Sequence, residues 1–309
     1  MSYLRSFGRY VPARVVENEA LAAELGMEPA AVLKSTGIER RRYAAEGETL
    51  ADMGCWAALD CLKNAGLGTA EIDFVLVSSG SAEMFCPGPA SAIAARLGLG
   101  DVPALDVPVA SAGSIAALVL ADSLAARFGN VLVVATEIMS RRISRTPEGK
   151  DTAMLFGDGA GACIVSRDEG FARIAGVALH TDGELAGAIS VHEGRFAMDG
   201  MAVIRHASGK LPGVIAEVLA GQGIAAGEVE VFLVHQANLR LLERVAKTLQ
   251  VGMERLFTNI QGYGNTSSAS LLIAAAEWHA AAGELKGPMV MAAFGSGLTW
   301  GALGAVPVE

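Results

Sequence analysis

The chain has 309 residues, 52% of them apolar and 18% charged, enough to bury a sizeable core and against extensive disorder. A net charge of −9, with no basic stripe beyond Arg40, Arg41 and Arg42, argues against a nucleic-acid partner, and that short run reads as solvated surface. No stretch approaches the roughly 20 unbroken apolar residues of a membrane helix.

Taken from the N-terminus, residues 1–12 carry Arg5 and Arg9 and no apolar core of signal-peptide length. The expectation is a cytoplasmic protein with no membrane partner. Short, continuous apolar runs occur at 74–77, 131–134 and 231–234, the pattern of strands buried on both faces. Helical spacing marks 50–64, 89–97, 112–128, 239–249 and 267–282. Strands alternating with helices predict an α/β fold with covered sheets. The four cysteines, Cys55, Cys61, Cys86 and Cys163, form no C-x-x-C pair and have no histidine at zinc-finger spacing. They read as reduced thiols and packing residues, not as a metal site.

One segment repeats. Residues 66–77 and 223–234 share glycine, glutamate, leucine and valine at matched positions, and each copy ends in a polar turn. A duplicated α/β half is the economical reading, with a first half over 1–168 and a second over 169–309.

Three places combine polar side chains with the ends of buried strands, where open α/β sheets hold their ligands. Ser111 lies where residues 104–110 turn into an Ala-rich helix, among small neighbours that leave room for a substrate. The free N–H groups and positive dipole end of that helix would activate a nucleophile; an ordinary serine N-cap is the alternative. His235 directly ends the apolar run 231–234, which suits a pocket, or else a buried imidazole satisfied by backbone. Asn265 lies in the Gly-rich turn 262–270 that opens a helix, as an amide donor to a carbonyl or enolate oxygen or as a cap. Glycines in 293–302 let backbone approach a ligand closely. His180, His192, His206 and His279 are scattered and read as surface or packing residues. Residues 156–161 lack the G-x-G-x-x-G spacing of a dinucleotide loop and no strand precedes them cleanly, which argues against a nicotinamide cofactor.

Together the segments 36–40, 156–161, 234–240, 264–270 and 294–301 resemble the β-ketoacyl-acyl carrier protein synthase III family, and the likeness runs through the whole chain. The resemblance implies the thiolase fold, two similar halves in a five-layered αβαβα arrangement, usually as a homodimer. It implies an acyltransferase that loads an acyl group from coenzyme A and condenses it with malonyl-acyl carrier protein. The thioesters are substrates, and no separate cofactor is implied. His235 and Asn265 fill two places of the family's Cys-His-Asn triad, holding the malonyl thioester carbonyl while carbon dioxide leaves. Gly297 and the backbone N–H of Ser111 would form the oxyanion hole, Asn238 would position the pantetheine arm, and Arg240 would meet the carrier protein.

Several positions depart from the family pattern. Ser111 occupies the cysteine position. A thiol ionises near pH 8.5 and is easily shifted lower, whereas a serine hydroxyl needs a nearby base. Ala31 and Ser35 stand where an aromatic and an arginine often grip the coenzyme A adenine, and Lys150 stands near another usual arginine. Cys86 lies where a phenylalanine commonly reaches into the partner's acyl pocket, implying a roomier one. Four readings follow: a ketosynthase III carrying serine for cysteine; a Ser111-dependent acyltransferase to a hydroxyl, amine or carrier, with His235 as base; a malonyl-thioester decarboxylase; and a catalytically silent carrier-binding partner.

Overall fold

The computed structural model describes residues 1–308 except Phe85 and Glu193, and the backbone alone of His192. The first half begins with β1 (Tyr3–Tyr10), β2 (Arg14–Glu17), α1 (Asn18–Leu25), α2 (Pro29–Thr36) and β3 (Arg40–Tyr43). It continues through α3 (Leu50–Ala65), β4 (Phe74–Ser78), α4 (Pro89–Arg96), β5 (Ala104–Val107) and α5 (Gly113–Phe128), then β6 (Asn130–Ile138), a short α6 (Lys150–Ala153) and β7 (Asp158–Ser166). The second half runs β8 (Ala172–Thr181), β9 (Ile189–His192), β10 (Arg195–Met198), α7 (Gly200–Gln222), β11 (Val231–Val234) and α8 (Leu239–Leu249). It closes with α9 (Ile260–Tyr263), α10 (Ala269–Ala282), β12 (Met289–Gly295) and β13 (Thr299–Pro307).

The main sheet has nine strands among the described residues, ordered β11-β12-β13-β8-β1-β7-β6-β4-β5, and its two ends mirror each other. In the first half β4 runs parallel to β6, β6 antiparallel to β7, and β7 antiparallel to β1. In the second, β11 runs parallel to β12, β12 antiparallel to β13, and β13 antiparallel to β8. A short β1–β8 pairing at Tyr3 and Leu4 joins the halves. The repeat seen in the sequence has a local cause. Gly66 and Gly223 both end a helix in the left-handed region, at φ 68° and 69°, where glycine carries no Cβ penalty. In each copy a glutamate, Glu71 or Glu228, then accepts the N–H three residues back, Gly68 or Ala225, before the chain enters β4 or β11. The connection between β7 and β8 spans 167–171, where the sequence repeat divides the chain.

Helices α5 and α10 form the middle layer. Neither has a charged residue in its first eight positions, so both are apolar on all sides, as a helix covered by two sheets must be. Their Ile115, Leu118, Leu271, Leu272 and Ile273 share one core with Leu76, Val133, Leu233 and Met291 from both half-sheets. Outside, α3 and α4 cover the first half-sheet through Met53, Cys61, Leu62 and Ile93. Helices α7 and α8 cover the second through Leu211, Ile215, Leu242 and Val245. Two glycines set the spacing: a Cβ at Gly8 would lie 2.1 Å from the Cys61 nitrogen of α3, and one at Gly161 would lie 2.5 Å from Leu272 Cβ of α10.

One expectation needs correction, and one reading gains a cause. The basic run is not all surface: Arg41 is fully buried, because alternation along β3 turns every second side chain inward. Its guanidinium donates to Asn18 Oδ1 at 2.7 Å and to the Met154 carbonyl at 3.0 Å. Residues 158–161 are the first four of β7, and Gly157, Gly159 and Gly161 lie where a Cβ would meet the Tyr263 carbonyl, Ile273 and Leu272. These glycines serve packing.

Candidate active site

Ser111, His235 and Asn265 line one cavity of about 500 Å³. Each comes from a different junction: Ser111 from the turn between β5 and α5, His235 from the end of β11, and Asn265 from the loop between α9 and α10. Ser111 is 7% exposed and has φ 62°, a conformation that non-glycine residues adopt rarely. It is not the N-cap of α5; Ala112 holds that position and makes no side-chain cap bond. The alternative of an ordinary serine cap therefore fails: the Ser111 hydroxyl pairs with Ser267 Oγ and with no N–H of the helix end.

The strap after β12 holds this elbow from outside. Ser296 Oγ accepts the Ala110 N–H at 3.0 Å, and the Ser296 N–H donates back to the Ala110 carbonyl at 3.1 Å. A Cβ at Gly295 would lie 2.0 Å from that carbonyl oxygen. Gly297 follows at φ 125°, open to glycine alone without strain. On the inner side, the Ser111 N–H donates to Ser267 Oγ at 3.0 Å, and the two hydroxyl oxygens lie 3.5 Å apart. The N–H expected as an oxyanion donor is thus already engaged by a neighbouring hydroxyl.

His235 is buried, and its Nδ1 lies 2.6 Å from Ser270 Oγ. Burial pushes its pKa down to about 3, so the imidazole is neutral throughout the physiological range. Asn265 is fixed by its own turn, where Oδ1 accepts the Ser267 N–H at 2.8 Å and leaves the amide NH₂ to donate. Beneath this turn, buried Glu137 accepts from Ser268 N and Oγ, at 3.2 and 2.6 Å, and from Ser81 Oγ and the Gly80 N–H, at 2.5 and 3.0 Å. With Ser79 Oγ at 3.4 Å, five donors satisfy a carboxylate that would otherwise be costly to bury, and they tie the two halves together beside the cavity. Serines 267, 268 and 270 lie within the polar turn singled out in the sequence, but no spacing rule assigned Ser267 and Ser268 their partners in the first half, or Ser270 its partner His235.

The remaining candidates divide. Asn238 lines the cavity; its Oδ1 caps α8 by accepting the Arg240 N–H at 2.8 Å, and its amide donates to the Ser35 carbonyl at 3.2 Å. Arg240 is exposed at the rim, bonded to the Lys34 carbonyl and to Glu243. Lys150 is exposed, and its neighbours Asp151 and Thr152 line the cavity instead. Exposed Cys86 lines a second cavity of about 690 Å³, which shares Ile189 and Phe196 with the first. Gly297 lines neither.

Two mirrored halves around a shared helical layer, with the site where their strand ends meet, define the thiolase fold. Residues 105–183 match the family model 3-oxoacyl-[acyl-carrier-protein] synthase III, and residues 219–305 match its C-terminal model. The β-ketoacyl-[acyl-carrier-protein] synthase III of Oleidesulfovibrio alaskensis is 36% identical over 98% of each chain, and that of Rhodobacter capsulatus is 36% identical over 97% of each. Among solved structures, 3-oxoacyl-[acyl-carrier-protein] synthase III from Aquifex aeolicus superposes with a TM-score of 0.94 at 33% identity, covering 99% of this chain and 100% of the other. The corresponding Pseudomonas aeruginosa structure gives 0.91 at 32% identity, covering 100% and 98%. The chain belongs to the 3-oxoacyl-acyl carrier protein synthase III family.

Among the described residues, no helix is long and apolar enough to cross a membrane.

Proposed function

We propose that the protein condenses an acyl group taken from coenzyme A with malonyl-acyl carrier protein, in fatty acid or related biosynthesis. The observation that carries this reading is the convergence of Ser111, His235 and Asn265 on one cavity. In the first stage Ser111 Oγ attacks the acyl thioester; the C–S bond breaks, coenzyme A leaves as the thiol, and an oxygen ester remains. In the second, malonyl-acyl carrier protein loses carbon dioxide while a His235 ring N–H and the Asn265 amide donate to the thioester oxygen that becomes the enolate. The enolate carbon then attacks the ester carbonyl, and Ser111 departs as an alkoxide that takes up a proton.

The same reading gives Asn238 the pantetheine arm and Arg240 the carrier protein at the rim, with the thioesters as substrates and no further cofactor. It also makes the protein a homodimer, which edge strand β5 favours by leaving Leu105 56% exposed. Lys150 is retained only as a surface cation beside the entrance, and Cys86 as a wall of the second cavity.

One observation favours a second reading. The only side chain that Ser111 Oγ hydrogen-bonds among the described residues is another hydroxyl, Ser267. With no base in contact, acyl loading is slow, and decarboxylation, which needs no nucleophile, outruns condensation. Intact-mass measurement after incubation with acyl-coenzyme A, and carbon dioxide release from malonyl-acyl carrier protein, test both. An adduct lost in Ser111→Ala supports condensation, and release that survives Ser111→Ala but not His235→Ala supports the second reading. Neither adduct nor release from folded protein refutes both.

A further inference from the structure

We infer that Ser270 is a positioning residue that fixes His235 as its Nε2–H tautomer, making it a hydrogen-bond donor to substrate and not a base for Ser111. The assignment follows from counting protons. Ser270 Oγ accepts the Gln236 N–H at 3.0 Å and lies 2.6 Å from His235 Nδ1, with all three residues buried. A serine hydroxyl has one proton to donate. Among the described residues the one atom placed to take it is Nδ1; were Nδ1 to carry the ring proton, Ser270 Oγ would accept twice and its own buried proton would have no acceptor. Nδ1 therefore holds a lone pair toward Ser270, and the ring proton of the neutral imidazole resides on Nε2. That nitrogen has no protein acceptor among the described residues, on a ring that lines the cavity.

The pseudo-symmetric half supplies a comparison. Ser114 is the second residue of α5, as Ser270 is of α10. Where the second half has His235 after its repeated strand, the first has Ser78. Ser78 Oγ donates to the Val109 carbonyl, and the buried Ser114 hydroxyl has no partner among the described residues. Of these two serines, the one with a side-chain partner is the one that an imidazole faces. Asn265 is oriented by the same turn through the Ser267 N–H, so one turn aims two donors. A base on Ser111 would need Nε2 unprotonated, which the bond from Ser270 opposes.

The consequence for chemistry rests on the function proposed above; the tautomer does not. Protein labelled with ¹⁵N-histidine, with His235→Gln supplying the assignment, gives the test at neutral pH. The expected spectrum shows a pyrrole-type Nε2 and a pyridine-type Nδ1 for His235; the reverse pattern overturns the inference. In Ser270→Ala the two forms should mix, and carbon dioxide release from malonyl-acyl carrier protein should fall at least about tenfold in kcat with little change in KM. Ser270→Thr, which keeps the hydroxyl, should restore both readouts. A Ser270→Ala protein with unchanged spectrum and turnover overturns the inference. If Ser270→Ala does not fold, the wild-type and Ser270→Thr spectra decide. The expected spectrum without carbon dioxide release supports the tautomer and counts against the function alone.

Discussion

The backbone N–H of Ser111 donates to the hydroxyl of Ser267 at 3.0 Å, and the two serines occupy equivalent places in the two halves. Each lies two residues before a middle-layer helix, α5 or α10, and each has a positive φ, 62° and 48°. The elbow that presents the nucleophile position is thus braced by its own counterpart. Such a pairing fixes the Ser111 side chain without giving it a proton acceptor stronger than a hydroxyl.

Removing the brace should be measurable. Ser267→Ala leaves a buried N–H without its acceptor, which costs about 1–3 kcal/mol, and differential scanning calorimetry should show a lowered Tm. An unchanged Tm would mean that the Ser111–Ser267 bond contributes nothing to the elbow.

Two glycine substitutions should act in opposite directions. Gly295→Ala would set a Cβ 2.0 Å from the Ala110 carbonyl oxygen, so it should displace the elbow and abolish any adduct at Ser111. Gly209→Ala lies on an exposed part of α7, with nothing within 4 Å of the new Cβ, and should stabilise the fold by about 0.5–1 kcal/mol. Intact mass after incubation with acyl-coenzyme A checks the first variant, and denaturant titration checks the second.

The buried imidazole predicts a pH dependence. His235 titrates near 6.5 when unfolded and near 3 when folded, so between these values the unfolded chain binds more protons than the native one. Its contribution therefore lowers stability as pH falls through that window and is absent above it. In His235→Gln the slope of unfolding free energy against pH should be shallower between pH 4 and 6 than in the parent protein. Equal slopes would show that His235 is not held neutral by burial.

Within the basic run, Arg41→Ala should cost about 2–4 kcal/mol, since it removes two charge-assisted hydrogen bonds and opens a cavity. Arg40→Ala, at an exposed position of the same strand, should change stability by less than about 0.5 kcal/mol. Thermal unfolding of the two variants side by side makes the comparison.

How far the sequence reached differs from residue to residue. Helix α8 has its predicted bounds at Leu239 and Leu249, because its apolar and charged positions alternate with a clear helical period. The duplicated half was legible at Gly66 and Gly223, since a left-handed helix end followed by a glutamate cap leaves the same local signature twice. Ser111, His235 and Asn265 were legible because each follows a strand or opens a helix within a distinctive short motif. Arg41 was misjudged because three consecutive arginines give no sign of strand alternation. The pairs Ser111–Ser267 and His235–Ser270 were beyond reach for a different reason. They join residues 156 and 35 positions apart; the packing of two halves around one helical layer makes the first pair, and the return of α10 to the end of β11 within the second half makes the other.

The central claim is that this cavity carries ketosynthase chemistry limited by a hydroxyl where a thiol would serve better. The direct measurement is the rate of 3-oxoacyl-acyl carrier protein formation from acyl-coenzyme A and malonyl-acyl carrier protein, for the parent protein and Ser111→Cys. A thiol ionises several orders of magnitude more readily than a hydroxyl and forms a better leaving group. Ser111→Cys should therefore raise condensation at least about tenfold, and His235→Ala in that background should remove it. A folded Ser111→Cys protein that forms no condensation product would contradict the account.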